Sequence, residues 1–363
     1  MKKIKTAIIG FGFRAQGLAQ NLINNNSFNI MKICDKREER LQAAKEQLGA
    51  GLQVTTNATD VFQDNEIEAV VIAAPQFAHR DLSIRAFQSG KHVYCEKPLA
   101  LSVKECDDMI AAANRAKKIF MVGQQMRYHA HLQKAAALIK AGEIGKPVMA
   151  WIREFRNPFP ETMSWAFDRR KSGGMLVEKS CHHFDVFNWL MGSKPLQVFA
   201  SGAADVFKKP FGLNSNIADN AYVIIDYENG GRAFLQLCMF MGLPFKCECG
   251  VGQHVREIGA AGAKGMIRTE GFDLGQNVEI LPNDSRNIAR INIATSGNVP
   301  TAFNQNGNDG IFVDFADCIR KGKKPFAGAA IGKTAVAVAV AAEKSMAEKR
   351  IVKIKEVMRQ ATP

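Results

Sequence analysis

Two regimes of hydrophobic patterning divide this chain. In the first part, short and almost wholly apolar runs alternate with stretches whose apolar residues recur at helical spacing. The runs are Thr6–Ile9, Phe28–Cys34, Gln53–Thr55, Glu68–Ala74, Lys91–Cys95 and Phe120–Gly123. The segments between them, near Ala15–Asn24, Arg37–Leu48, His79–Ser89 and Ser102–Ala116, read as amphipathic helices. Strands that are apolar on both faces belong inside a parallel sheet, and regular strand–helix alternation predicts a doubly wound α/β fold of the Rossmann kind. Past Lys146 the period shortens to two. Val148–Phe155, Gln197–Ala204, Ala221–Tyr227, Arg232–Phe240, Arg256–Gly259 and Val278–Leu281 read as an antiparallel sheet with one helix embedded early. Residues 296–310, rich in Asn and Gly, read as a loop.

Composition narrows the class. A chain of 363 residues with 47% hydrophobic and 23% charged content has the length of about two globular domains. The eight cysteines are scattered without paired spacing, which predicts reduced thiols in a cytoplasmic protein rather than disulfides. The apolar run after Lys2-Lys3 is broken by Gly10, too early for a secretion signal, and no segment approaches the roughly 20 apolar residues that cross a bilayer. A net charge of +13 invites a nucleic-acid reading. The basic residues are spread along the chain, however, and neither an RNA-recognition consensus, a zinc finger nor a basic arm is present. No nucleic-acid or membrane partner is expected, and the excess charge suits anionic small molecules, including a dinucleotide.

The first apolar run leads straight into Gly10-Phe11-Gly12-Phe13-Arg14-Ala15 and then a helix. This is a G-x-G-x-x-A fingerprint in the strand–turn–helix context that dinucleotide binding requires. Gly10 permits the turn, Gly12 admits a pyrophosphate to the backbone, Ala15 lets the helix pack closely, and the helix N-terminus supplies amides for an anion. Arg14 can add charge there. Asp35 follows Ala15 by twenty residues, ending the second run where a carboxylate would meet the adenosine ribose hydroxyls. It also suits the N-cap of the helix after it. This favours NAD, although Lys36, Arg37 and Arg40 keep NADP open.

The fifth run ends in Glu96-Lys97-Pro98, delivering a charged pair to the carboxyl edge of the sheet, where open α/β folds bind ligands. A lysine there can act as a general base if desolvated, or orient a hydroxyl or phosphate if charged. Ala74-Pro75, His79, Gly90-Lys91-His92-Val93 and Glu96-Lys97-Pro98-Leu99-Ala100 together resemble the signature of the Gfo/Idh/MocA family. The resemblance continues through Arg127, Gly142 to Pro147, Asp314-Phe315 to Lys324-Pro325 and the Ala-rich helix from Lys333. Gln76 stands where the family usually has Asn. The resemblance implies an N-terminal doubly wound parallel Rossmann sheet over residues 1–124. It implies an α+β domain over 125–363 with a large open, mostly antiparallel sheet, whose outer face builds a homo-dimer or homo-tetramer. It also places Phe11, Phe13, Ala74, Pro75, His79, Glu96 and Lys97 at the cofactor.

A second constellation lies in Gly173-Gly174-Met175-Leu176-Val177-Glu178-Lys179-Ser180-Cys181-His182-His183-Phe184-Asp185. On a continuous helix, Glu178, His182 and Asp185 share one face. The family pattern, mapped residue by residue, places Glu178 and His182 near the hydroxyl that reacts. Glu178 stands for the usual Asp and Ser180 for the usual Gly, so the pocket is reshaped. Arg127, Trp165, Lys179 and His183 are the candidate substrate contacts, and the basic, aromatic loop 156–172 a candidate gate. Asp185 equally suits a structural ion pair. Cys181, His182, His183 and Glu178 have ligand chemistry, yet adjacent helical histidines point about 100° apart, so no metal site is expected. Cys247-Glu248-Cys249 reads as two packed thiols on a strand.

The expected function is hydride transfer between NAD(P) and a secondary hydroxyl or ketone of a sugar, cyclitol or related polyol. Lys97 would contact the reacting oxygen, His182 would be the acid/base and Glu178 would orient one of them. Two alternatives stand beside it. One is a glycoside-cleaving enzyme that uses tightly bound NAD for transient oxidation and elimination. The other is a non-catalytic NAD(P)-binding sensor, against which the joint presence of Lys97 and His182 counts.

Overall fold

The computed structural model describes residues 2–206, 208–209, 212, 214–241, 255–270, 277–284, 288–292 and 308–358. Cys247-Glu248-Cys249 and positions 296–307 of the expected loop lie outside them. The chain divides into two compact units, Met1–Gln125 with Gly307–Lys333, and Met126–Asn306 with Thr334–Pro363.

The first unit opens with β1 (Ile4–Ile9), α1 (Phe13–Asn24), β2 (Phe28–Cys34), α2 (Glu38–Leu48), β3 (Gln53–Thr55), α3 (Thr59–Phe62), β4 (Ala69–Ile72), α4 (His79–Gln88), β5 (His92–Cys95), α5 (Val103–Ala116) and β6 (Phe120–Val122). The six strands form one parallel sheet in the order β3-β2-β1-β4-β5-β6. The order reverses between β1 and β4, and a doubly wound sheet binds its ligand at the carboxyl ends of such a switch point. Val70, Val71, Ile72, Val93, Tyr94 and Cys95 have no exposed surface, which is why these runs are unbroken by polar residues. Helix α5 starts where its sequence dictates. Ser102 Oγ accepts from Glu105 N at 3.2 Å and Glu105 Oε2 accepts from Leu101 N at 2.9 Å, satisfying amides that the first turn leaves without partners.

The second unit continues with α6 (Ala130–Ala141), β7 (Pro147–Phe155), α7 (Arg169–Ser172), α8 (Met175–Glu178), α9 (Cys181–Met191), β8 (Pro195–Ala203), β9 (Asn220–Tyr227), β10 (Arg232–Cys238), β11 (Val255–Gly262), β12 (Gly265–Glu270), β13 (Asn277–Pro282) and β14 (Ala289–Asn292). Its sheet has nine strands once β15 (Val352–Lys353), near the end of the chain, is added to its edge. The described ladders are antiparallel except β7–β10, which run parallel. Strand β12 was not expected. It returns from β11 through the two residues Ala263-Lys264, and this hairpin is short enough to hide two strands in one apparent segment. Ala150, Ile152 and Glu154 alternate inward along β7, so period two carries a carboxylate into the core.

The embedded helix is not continuous. Its pattern predicts one helix through Asp185, but α8 ends at Glu178 and α9 begins at Cys181, with Ser180 at ψ −1°. His182 and Asp185 keep a shared face within α9, while Glu178 lies across the break. Gly173 and Gly174 precede α8 at φ +77° and +104°, where a side chain would be strained.

After β14 the chain returns to the first unit. Helix α10 (Asn308–Lys321) places Phe312 and Phe315 against Phe28 and Tyr94, with ring centroids 5.1–6.2 Å apart, and Arg320 Nη1 donates to Ser27 Oγ at 3.0 Å. This aromatic packing amends the expected single division at residue 124. Helix α11 (Ala329–Glu348) begins in the first unit and continues in the second, and α12 (Ile354–Met358) follows β15. Among the described residues no helix is long and apolar enough to cross a membrane.

Candidate active site

In the first unit the fingerprint loop is shaped by contact. Gly10 has φ +88°, and a Cβ there would stand 2.6 Å from Ala74 N, so backbone from the end of β4 occupies the space of a side chain. Around Gly12 the situation differs. The atom nearest to a Cβ at Gly12 would be Arg40 Nη1, at 3.6 Å, leaving the backbone open at the start of α1. Phe11 turns its ring into the core while its amide donates to Asp35 Oδ2 at 2.6 Å. Phe13 is 92% exposed. Asp35 also accepts from Arg37 N at 3.0 Å and from Arg40 Nη1 at 3.3 Å. It therefore ties the loop to α2, whose N-cap is Arg37 and not Asp35 as expected. Lys36 and Arg37 are exposed beside it.

Arg14, expected to add charge at the anion site, is engaged by Glu96 and Gln125. Its Nε donates to Glu96 Oε1 at 3.0 Å and its Nη2 to Gln125 Oε1. Glu96 is buried at the end of β5. Its Oε1 also accepts from Tyr94 OH at 2.9 Å, and its Oε2 accepts from the Lys97 amide at 3.1 Å. One carboxylate thus joins the start of α1 to the backbone of Lys97 on the carboxyl edge of the sheet. The Lys97-Pro98 peptide is cis.

His79, expected at the cofactor, is 1% exposed and fixes backbone instead. Its Nε2 lies 2.9 Å from Ala74 O and its Nδ1 2.9 Å from Pro98 O. Burial draws its pKa down despite both carbonyls. The ring ties the Ala74-Pro75 turn to the turn that carries Lys97.

In the second unit, Glu178 and His182 are both buried, one on each side of the break between α8 and α9. Gly174 sits against the carboxylate of Glu343, and Glu343 Oε1 accepts from Leu176 N at 2.8 Å. Arg169 Nη2 is 3.4 Å from Glu343 Oε2. Glu343 is therefore the cap of α8. Burial pushes its pKa up to about 7, against the pull of the amide and Arg169.

Arg127 is held away from open solvent. Its Nε and Nη2 donate to the two oxygens of Asp185 at 2.8 Å each, and its guanidinium carbon lies 5.3 Å from the Trp189 ring centroid. The structural alternative for Asp185 is what this geometry shows. Trp165 is half-buried in a 3₁₀ turn over Glu161–Phe167. In the candidate gate, Arg169 is engaged by Glu343 and Arg170 by Asp168.

Lys179 and His183 turn toward β7. Glu154 has no exposed surface and accepts from Lys179 Nζ at 2.8 Å, from His183 Nε2 at 2.6 Å, and from Arg256 Nε and Nη2 at 3.1 and 3.2 Å. Arg156 Nη1 stands 4.0 Å away. Burial opposes ionisation of Glu154, but Lys179, Arg256 and His183 outweigh it and hold the carboxyl well below its ordinary range. His183, fully buried, is drawn down to about 4 by burial and is neutral, so it is a core partner of Glu154. Glu154, Arg156, Arg256 and Glu343 were not singled out from sequence. The one available signal was a carboxylate in the inward phase of a strand.

Residues 4–124 match the Gfo/Idh/MocA oxidoreductase family described as an NAD-binding Rossmann fold, and residues 136–354 match its C-terminal alpha/beta domain. The chain is similar to a myo-inositol 2-dehydrogenase of Thermotoga maritima, 26% identical over 98% of this chain and 100% of that protein. It is also similar to a 2,7-anhydro-N-acetylneuraminate hydratase of Mediterraneibacter gnavus, 31% identical over 64% of this chain and 63% of that one. Among solved structures, an oxidoreductase of Agrobacterium radiobacter in complex with NAD+, L-tartaric acid and magnesium shares the fold. Its TM-score is 0.80 at 21% identity, with 98% of this chain and 99% of that one covered.

Proposed function

From the premise that this chain belongs to the Gfo/Idh/MocA oxidoreductase family, and that its first unit is the family's NAD-binding Rossmann domain, we propose that it transfers hydride at a secondary hydroxyl or ketone of a sugar, cyclitol or related polyol. The nicotinamide, when bound, accepts or returns the hydride. The observation that carries this reading is the Glu96 junction. It fixes the Lys97 backbone on the same sheet edge as Gly10, Gly12 and Asp35, which supports a substrate role for the Lys97 amine. Lys97 contacts the reacting oxygen and His182 gives and takes the proton, with Glu178 orienting one of them. Such acid/base groups contribute about 10² to 10⁴ in rate. Asp35, already the acceptor for three donors around the loop, supports NAD over NADP because a carboxylate repels a 2′-phosphate.

The relative named as a hydratase supports a second reading, in which oxidation is transient and the nicotinamide ends unchanged. A screen of sugars, inositols and their keto forms with NAD(H) and NADP(H), read at the nicotinamide absorbance and by product analysis, separates the two. Net absorbance change supports the dehydrogenase, and product without it supports the transient route. Homo-oligomerisation through the sheet is part of the proposal. Phe199, Ile224 and Phe234 are exposed and face one another in register across β8, β9 and β10, an apolar row that a second copy would cover.

A further inference from the structure

We propose that Glu343 is a positioning residue for the proton-handling segment: its ionised carboxylate clasps Arg169 of the candidate gate to the start of α8 and thereby fixes the turn that carries Glu178. This deepens the reading above and rests on it.

The contacts come from three places in the second unit. Glu343 stands on α11, 5% exposed, and its two oxygens have separate partners. Oε1 accepts from the Leu176 amide at 2.8 Å, and Oε2 faces Arg169 Nη2 at 3.4 Å. The backbone is shaped to admit this carboxylate. Gly174 has φ +104°, and a Cβ there would collide with the Glu343 carboxyl, so only glycine leaves room for it.

The residues that Glu343 touches are the ones that hold the proton-handling segment. Gly174 O accepts from Glu178 N at 3.0 Å, and Leu176 O accepts from Ser180 N at 3.1 Å. Ser180 O in turn accepts from Phe184 N at 2.9 Å, in the first turn of α9, which carries His182. On the other side Arg169 is fixed at its backbone. Its N donates to Asn216 Oδ1 at 2.6 Å, and its O accepts from Gly173 N at 2.8 Å, while the side chain, 44% exposed, reaches Glu343. Helices α7 and α8 have four residues each, too few internal bonds to hold such a segment without outside contacts.

A charge at this position works against the fold. Burial pushes Glu343 up to about 7, opposed by the Leu176 amide and Arg169. Among the described residues Arg169 is the cation that faces it. On α7, Arg170 pairs with Asp168 and Lys171 is exposed; α8 carries Glu178 at its far end; on α11, Lys344 pairs with Glu348. Because the folded pKa is raised, ionisation as pH passes 7 lowers global stability, yet the same ionisation makes the charge that holds Arg169. A neutral amide at position 343 could accept from Leu176 N and spare the core a charge. It could not hold the guanidinium.

The test is amide hydrogen exchange of the full chain, corrected for the intrinsic effect of pH, in the wild type, Glu343→Gln and Arg169→Gln, with urea unfolding alongside. At pH 8 both variants should exchange the amides of residues 173–180 faster than the wild type by about threefold or more, and Glu343→Gln should do so while its global stability rises. The double variant should exchange no faster than either single one, because each already opens the same clasp. At pH 5 the wild type carries a protonated Glu343, and its difference from Glu343→Gln should vanish. On the sugar or polyol that the screen identifies, Glu343→Gln should lower kcat by about tenfold at pH 8 with NAD affinity unchanged. Equal exchange in the wild type and Glu343→Gln at pH 8 overturns the proposal. So does faster exchange that accompanies a loss of global stability, which marks an ordinary core contact, and so does an unchanged kcat beside faster exchange. The predicted exchange without hydride transfer on any member of the screen would overturn only the dehydrogenase reading, and turnover with unchanged exchange would overturn only this proposal.

Discussion

Glu96 and Glu154 are both buried glutamates at the ends of strands, and the two units use them differently. Glu96 binds one cation, Arg14, and spends its remaining capacity on a tyrosine hydroxyl and the Lys97 amide, neutral donors that fix geometry. Glu154 meets Lys179, Arg256 and, at a longer distance, Arg156. The first arrangement is a charge-balanced clamp that holds a cofactor domain in one shape. The second gathers Lys179, His183 and Arg256 on one buried carboxylate and so ties the segment around α9 to β7 and β11.

The largest expected effect tests that contrast directly. Removing Glu154 strands its cations in the core, and Glu154→Ala should cost about 3–5 kcal/mol of stability. Glu96→Ala, which strands one half-exposed arginine and two neutral donors, should cost about 1–3 kcal/mol. Equal costs in urea unfolding would break the comparison.

A second contrast lies within the fingerprint. Gly10→Ala meets both a positive φ and the backbone of Ala74, and should destabilise by about 1–3 kcal/mol. Gly12→Ala has room and should leave stability within about 0.5 kcal/mol while weakening NAD affinity, since its opening faces the helix N-terminus. Chemical denaturation and fluorescence titration with NADH separate the two.

Glu343 gives a smaller, pH-dependent effect in the second unit. Its folded pKa of about 7 lies above the ordinary glutamate value, so its contribution is present at low pH and is lost as pH rises toward and through 7. Glu343→Gln should therefore gain on the wild type between pH 5 and pH 8, by roughly 1–3 kcal/mol. A constant difference across that range would show that the cap does not titrate.

Much of this was legible in the sequence, for physical reasons. The parallel sheet could be read because strands buried on both faces cannot carry polar residues. The tight turn at Gly10 could be read because turns are decided by residues a few places apart. What sequence left hidden depends on contacts between distant parts of the chain. Arg256 reaches Glu154 across 102 residues and Glu343 caps Leu176 across 167, and no local spacing announces either. Arg127 reaches Asp185 across 58 residues in the same way. His79 and His183 carry the side-chain chemistry of a site, yet both are spent on buried partners.

The roles of Lys97 and His182 are the centre of the account. The most direct measurement compares hydride transfer by the wild type, Lys97→Ala and His182→Ala on whichever sugar or polyol the screen identifies, following nicotinamide absorbance, with NAD affinity measured alongside. The account predicts turnover lowered by about 10²-fold or more in each variant with NAD affinity nearly unchanged. Wild-type turnover in both variants would contradict it.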